Sequence, residues 1–233
     1  MLTISVVIPA LNEETVLPQT LAHAAKLGFD EVVVVDGGSR DRTTELLAPY
    51  LSARAPFPIT LITAPPGRAS QMNLGAAASR GEVLLFLHAD TLLPAEAKAE
   101  ILAALNDPAC VGGRFDVRFE RDSGWGWVIS RMMNLRSRLS GIATGDQAIF
   151  VRRAAFERLG GFADLPLMED VDFSRRLKRI GPVAPLRAKV VTSYRRWERS
   201  GPVRTILLMW TLRFLYWLGV SPRTLSRFYG IVR

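Results

Sequence analysis

The sequence predicts an α/β protein built on a mostly parallel sheet with helices on both faces. Short, continuous runs of β-branched and apolar residues recur along the first half and alternate with stretches of helical spacing, the signature of strands buried on both faces. Each run also ends in polar or turn-forming residues, and ligands of open α/β sheets bind beyond the carboxyl ends of their strands. Composition agrees: 48% of the 233 residues are hydrophobic, ample for a core and wrong for disorder.

The elements follow in order. Residues 3–8, TISVVI, form a first strand ended by Pro9, and a helix is expected over 13–27 with Gly28 as its stop. EVVVV, 31–35, is a second buried strand ending at Asp36. DGGSRDRT is then a loop and TTELLAPYLSA a helix. ITLIT, 59–63, is a third strand; GRASQMNLGAAASRG is a helix of small residues closed by Gly81; residues 82–87 form a fourth strand.

Beyond this half the periodicity changes. In residues 110–120, Phe115, Val117 and Phe119 alternate with Arg114, Asp116 and Arg118, which reads as a half-exposed strand. GWVISRMMNLRSRLSG is a helix, GDQAIFVRR a strand, AAFERLGGF a short helix, and EDVDFSRRLKRIG a helix with an acidic start. There is no low-complexity linker and no internal repeat. Residues 1–200 are therefore expected to form one domain with two lobes, 1–116 and 117–200, followed by a helical segment over 201–233.

Charge is uneven. Residues 1–116 carry 8 basic and 13 acidic side chains, a balance of −5, whereas residues 117–233 carry 22 basic and 9 acidic, a balance of +13. A basic half suggests a polyanionic partner: nucleic acid, anionic lipid or a phosphorylated substrate. The single cysteine, Cys110, excludes an internal disulfide and a cysteine-based zinc site, and fits a reducing cytosol. The start, MLTISVVIPALNEE, has no basic stretch before its apolar run and no small-residue cleavage site, so it reads as a strand and not a signal peptide.

Four places carry candidate chemistry. Asp36 ends a strand beside two glycines, where it can accept hydrogen bonds from a base or ribose or, more plainly, organise the turn with Ser39 and Asp41. The lack of G-x-G-x-x-G after the first strand argues against a dinucleotide dehydrogenase. In LLFLHADT, His88 and Asp90 project to one side of an extended segment and could hold a divalent cation such as Mg²⁺ or Mn²⁺; a local hydrogen-bonded pair is the plainer alternative. Glu169, Asp170 and Asp172 cluster at a helix start, where the helix dipole favours negative charge and one could act as a general base. Arg195, Arg196 and Trp197 fall together, with arginine suited to phosphate.

In this order the motifs resemble the family 2 glycosyltransferases, whose GT-A fold is a Rossmann-like mixed sheet flanked by helices. VVIPALNEE resembles that family's first strand and nucleotide-binding loop, which implies roles for Pro9, Ala10, Asn12 and Glu13. VVVVDGGSRDRT resembles the second strand and the aspartate that contacts the base, implying Asp36 with Gly38. GRASQMNLGAAASRGEVLLFLHADT resembles the approach to the D-x-D metal motif. GDQAIFVRRAAFERLGGF and MEDVDFSRRL resemble the acceptor side, and SYRRW is similar to the Q-x-x-R-W motif. The likeness runs from about residue 3 to 200, with 1–116 as the nucleotide-binding half and 117–200 as the acceptor half.

The resemblance implies a nucleotide-diphosphate sugar as donor, Mn²⁺ or Mg²⁺ held by Asp90 and His88, and inverting single displacement. Asp170 would deprotonate an acceptor hydroxyl, Glu169 would position the acceptor, and Arg68, Arg196 and Trp197 would hold the donor phosphates. The acceptor stays open, with a lipid-linked one among the options. Two departures matter: His88 stands where D-x-D has its first aspartate, leaving Asp90 as the principal ligand, and Ser193 stands at the glutamine of Q-x-x-R-W. With no multi-span membrane region, processive synthesis is not expected.

Residues 205–218, TILLMWTLRFLYWL, are interrupted by Thr211 and Arg213 and are too short to span a bilayer. Four aromatics flanked by Arg204, Arg223 and Arg227 suit an interfacial helix, with core packing as the alternative. Location is then expected to be cytoplasmic, with contact at the inner face of the plasma membrane. Two competing functions are a nucleotidyltransferase of similar architecture and a non-enzymatic polyanion-binding module. The first should show a glycine-rich basic signature after the first strand; the second should show stacking aromatics or a nucleic-acid motif. Neither is present, so no nucleic-acid partner is expected.

Overall fold

The computed structural model describes residues 2–52 and 57–229. Its strands are β1 (Ile4–Ala10), β2 (Glu31–Asp36), β3 (Thr60–Thr63), β4 (Val83–Phe86), β5 (Thr91–Leu92), β6 (Gly112–Phe119), β7 (Ile149–Arg152) and β8 (Val183–Thr192). Its helices are α1 (Leu17–Ala24), α2 (Arg68–Ala78), α3 (Ala97–Ala104), α4 (Trp125–Ser140), α5 (Arg153–Arg158), α6 (Glu169–Ile180), α7 (Arg195–Ser200), α8 (Pro202–Trp217) and α9 (Pro222–Ser226). One eight-stranded sheet runs in the order β3-β2-β1-β4-β7-β6-β8-β5. The β1–β4 block is parallel, as expected, while β7 lies antiparallel to both β4 and β6, making the sheet mixed.

The parallel strands are apolar throughout because both faces are covered. Val6, Ile8, Val32, Val34 and Leu85 enter one core with α1 and α3; Val7, Val33, Val35, Leu84 and Phe86 enter the other with α2 and α6. Each such fully buried side chain contributes ~1.5–3 kcal/mol relative to exposure. Alternation cannot appear where neither face meets water.

Several boundaries differ from the expectation for physical reasons. The first helix begins at Leu17, after a turn over 13–16, and stops at Gly28 in the left-handed conformation, φ 66°. The expected helix after the second loop is only a 3-10 stretch, Glu45–Tyr50, because Pro49 has no N–H to donate back to Glu45; residue 53 of that expected helix lies outside the described residues. Helix α2 ends at Ala78, with Ser79 extended, not at Gly81. Gly81 instead allows a close approach: its N–H donates to Ser5 Oγ, and a Cβ there would lie 2.5 Å from that oxygen.

Strand β6 corrects the half-exposed reading. Arg114 and Asp116 are buried, because α4 lies over the face they occupy. Asp116 is held between Arg114 Nη1 at 2.5 Å and Arg138 Nη2 at 2.7 Å, so its polar alternation is a buried ion-pair network. Asn134 of α4 clamps both Val117 N–H and Val117 C=O. Strand β8, assigned to no element from sequence, pairs parallel to β6, while β7, between β4 and β6, joins the two halves into one sheet.

Candidate functional site

The carboxyl ends of β1 and β2 meet first. Asn12, at φ 55°, turns the chain after β1, and its N–H donates to Ser39 Oγ at 2.9 Å while its Oδ1 accepts from Arg40 N–H at 2.8 Å. Glu13 N–H donates to Thr43 Oγ1, so the two loops form one unit. Asp36 is buried; it accepts from Ser39 Oγ at 2.5 Å and from the N–H of Gly38 and Ser39. Gly38 needs its φ of 85° to make that turn. The carboxylate therefore organises the loop, as the plainer sequence reading has it, and any contact to a base comes in addition to these bonds.

Gln71, which sequence reasoning passed over, is fully enclosed beneath these loops. Its Nε2 donates to Ala10 C=O and Val35 C=O, each at 2.8 Å, tying the ends of β1 and β2 together. Its signal in the sequence is a polar residue on the inner face of an otherwise small, apolar helix.

Pairing of β4 with β7 aligns Phe86 with Ile149 and so brings residues 87–90 against the turn that precedes β7. That turn, Gly145–Gln147, carries a capping box between Thr144 and Gln147. Gly145 packs against the His88 ring so closely that a Cβ there would lie 2.3 Å from Nε2. The Gly145 N–H also donates to Asp170 Oδ2 at 2.9 Å, and Asp170 Oδ1 accepts from Val171 N–H. Ser174 and Ala143 bond each other further along α6, fixing its start to the same turn. The strand end with His88 and the helix start with Asp170 thus share one residue as their floor.

Glu169 is buried beside Asp170. Burial, reinforced by the Asp170 charge and opposed by Arg68, pushes its carboxyl up to about 7. Asp146, in the turn itself, is a site residue that sequence reasoning missed. Burial and the nearby Asp170 raise it, and its Oδ1 is buried without a hydrogen-bond partner among the described residues. Arg136 of α4 and Arg213 of α8 supply positive charge to Asp146. Burial and the repulsion of Arg213 pull Arg136 down to about 10.

Asp90 is held on the other side by Arg195, whose Nη2 lies 3.1 Å from Asp90 Oδ2 and 2.7 Å from Glu13 Oε2. The β5–β8 pairing explains the meeting: Thr91 is opposite Thr192, their hydroxyls bond, and α7 begins three residues on. Arg196 lies near Arg68, Asp90 and Asp146 electrostatically, and stacks over and bonds to Tyr229 beyond α9. Trp197 packs edge-on to Phe119 and stacks on Tyr194. Of the expected site residues, His88, Asp90, Glu169, Asp170, Arg68 and Arg196 are thus gathered at one place, whereas Pro9, Ala10 and Asp36 end the adjoining strands and Asn12 and Gly38 lie in the loops that follow them, Glu13 reaching the cluster through Arg195.

By chemistry, His88 and Asp90 are the residues that would ligate a hard cation such as Mg²⁺ or Mn²⁺. Burial together with the Arg68 and Arg196 charges holds His88 well below the usual imidazole range, so at neutral pH it is uncharged and able to ligate. Asp90 offers the carboxylate. No group of three or more His, Cys, Asp or Glu side chains converges among the described residues. The remaining ligands would then be water and substrate phosphate, as Mg²⁺ and Mn²⁺ sites commonly have.

Residues 5–160 match the glycosyl transferase family 2 profile. Among curated proteins, a probable glycosyltransferase, YdaM of Bacillus subtilis, is 31% identical over 202 residues, covering 76% of this chain and 47% of that protein. The undecaprenyl-phosphate 4-deoxy-4-formamido-L-arabinose transferase of Pseudomonas aeruginosa is 34% identical over 157 residues, covering 64% of this chain and 46% of its own length. The chain thus spans about half the length of these curated relatives. Among solved structures, the mannosyltransferase PcManGT of Pyrobaculum calidifontis, determined with GDP-Man and Mn²⁺, superposes with a TM-score of 0.69 at 20% identity, covering 91% of this chain and 60% of that one. At that identity the likeness concerns the fold, and it matches the expected GT-A architecture.

Proposed function

The chain belongs to glycosyl transferase family 2, and on that premise we propose that it moves a sugar from a nucleoside-diphosphate donor to a lipid-linked acceptor, with inversion at the anomeric carbon. The carrying observation is the shared floor at Gly145, which brings the His88 strand end and the Asp170 helix start together. A donor lying along the carboxyl ends of β1, β2 and β4 would then meet an acceptor arriving at α6. The lipid-linked acceptor is supported by the name of the Pseudomonas relative, whose carrier is undecaprenyl phosphate.

The residues divide the work. The locked loops at Asn12 and Gly38 receive the nucleoside, and Arg68 and Arg196 face the diphosphate. Asp90 and His88 would hold Mn²⁺ or Mg²⁺, which when bound would neutralise charge on the departing diphosphate. Asp170, oriented by the N–H of Gly145 and Val171, takes the proton of the acceptor hydroxyl. That oxygen forms its bond to the anomeric carbon as the bond to the diphosphate oxygen breaks, and the nucleoside diphosphate leaves with the electron pair. Glu169 positions the acceptor. Trp197 braces α7, and so Arg195 and Arg196, through its packing on Phe119 and Tyr194. Residues 1–116 are taken as the donor half and 117–200 as the acceptor half, with β6 straddling the boundary.

The test is calorimetry of nucleoside diphosphates with Mn²⁺, with Mg²⁺ and with chelator, on the protein and on Asp90→Asn. Metal-dependent binding that Asp90→Asn abolishes and His88→Asp keeps supports the reading. Unchanged metal-dependent affinity in Asp90→Asn sinks it.

A further inference from the structure

Two helices carry apolar stripes that no other described residue covers. On α8, Val203, Leu207, Trp210, Phe214 and Trp217 recur at intervals of three and four residues, one face of a helix, and Trp217 is 74% exposed. On α4, Trp125, Met132, Leu135 and Leu139 lie seven, three and four residues apart, again on one helix face, and Leu139 is 80% exposed. The α4 stripe also lines a shallow depression of about 500 Å³ together with Arg136 and Ser140. Exposed apolar surface of this extent marks an interaction site.

Charge says what covers it. Helix α4 contains three arginines and no acid, and from residue 199 to 227 the chain has five arginines and again no acid. Arg131, Arg204, Arg223 and Arg227 are all exposed. Tryptophans at the edge of an apolar stripe, rimmed by arginine, are the chemistry of a helix lying in the interface of an anionic bilayer.

The opposite sides of both helices lead to the candidate site. Leu212 of α8 is buried against Met168, the residue immediately before α6, and Arg213 and Arg136 bring their charges to Asp146. We infer that α4 and α8 together form a docking face for an anionic lipid surface, and that docking holds the acceptor side of the cleft beside the headgroups. Packed helix axes are ~8–10 Å apart, so Asp170 would lie within about one helix diameter of the bilayer. This rests on the preceding proposal only for what the cleft does; the face itself is read from the helices. The sequence pointed to 205–218 alone, since α4 reads as an ordinary helix until its burial pattern is known.

Flotation of the full chain with vesicles tests it, comparing phosphatidylcholine with phosphatidylcholine containing phosphatidylglycerol. The protein is expected to float with the anionic vesicles and at least tenfold less with the neutral ones. Leu135→Ser/Leu139→Ser on α4 and Trp210→Ser/Trp217→Ser on α8 should each lower the floating fraction at least tenfold, with unchanged circular dichroism and unchanged nucleoside-diphosphate affinity. Normal flotation of the α4 variant would overturn the two-helix face. So would a protein that does not float, including one that light scattering finds as a dimer which the same substitutions disperse, since a second copy would then be the occupant. Loss of nucleotide binding in the unmodified protein would count against the proposed transfer reaction and leave the docking result standing.

Discussion

The Gly145 N–H donates to Asp170 Oδ2 at 2.9 Å, while its Cα leaves no room for a side chain beside His88. One backbone position therefore sets both the proposed metal side and the proposed base. Gly145→Ala must push the His88 ring, the turn or α6, at ~1–3 kcal/mol for overpacking. The expected result is a joint fall in metal-dependent nucleotide affinity and in turnover, measured by calorimetry and transfer assay on one preparation. A fall in only one would separate the two sides.

Glu169 makes stability depend on pH. Its folded carboxyl is raised from 4.5 to about 7 by burial and the Asp170 charge. Between those values the folded state binds the extra proton, so stability is full below about pH 4.5 and falls as pH rises towards 7. The shift corresponds to about 3 kcal/mol at most. Glu169→Gln should therefore stabilise the protein at pH 8 and change little at pH 5, as read by thermal melts across that range.

Gln71 predicts a structural cost without chemistry. Gln71→Ala removes two buried hydrogen bonds, one to Val35 C=O and one to Ala10 C=O, which keeps the Gly37 N–H as its other donor. Each lost buried hydrogen bond costs ~0.5–1.5 kcal/mol, so urea unfolding should show a loss on the order of 1–3 kcal/mol. Nucleotide affinity should weaken as well, because the loops at Asn12 and Gly38 are built on those strand ends.

Much of this was legible in the sequence, for definable reasons. Strands β1, β2 and β4 announce themselves because they are buried on both faces and end in polar residues, and His88, Asp90 and Asp170 follow from motif and order. What was not legible depends on pairing between distant segments. Asp146 looks like a turn residue until β7 places it beside Asp170. Arg195 looks interchangeable with Arg196 until the Thr91–Thr192 pairing delivers it to Asp90 and Glu13. Strand β6 looks half-exposed because its ion pairs, buried under α4, keep the alternation of a solvated face.

Arg195 offers a further check on how the loops are held to Asp90. Arg195→Met removes both ion pairs while keeping the stem. Each is only partly exposed and together they should contribute on the order of 1 kcal/mol. The expected outcome is a modest drop in melting temperature that shrinks in high salt; a salt-independent drop would mean that packing, not charge, was lost.

The central claim is that Asp170 serves the acceptor and not the donor, and Asp170→Asn tests it most directly. Removing a general base costs ~10²–10⁴-fold in rate. Transfer kinetics measured beside donor titration should show turnover lowered by that factor with donor affinity nearly unchanged. Near-normal turnover, or a loss of donor binding equal to the loss of rate, would contradict the account.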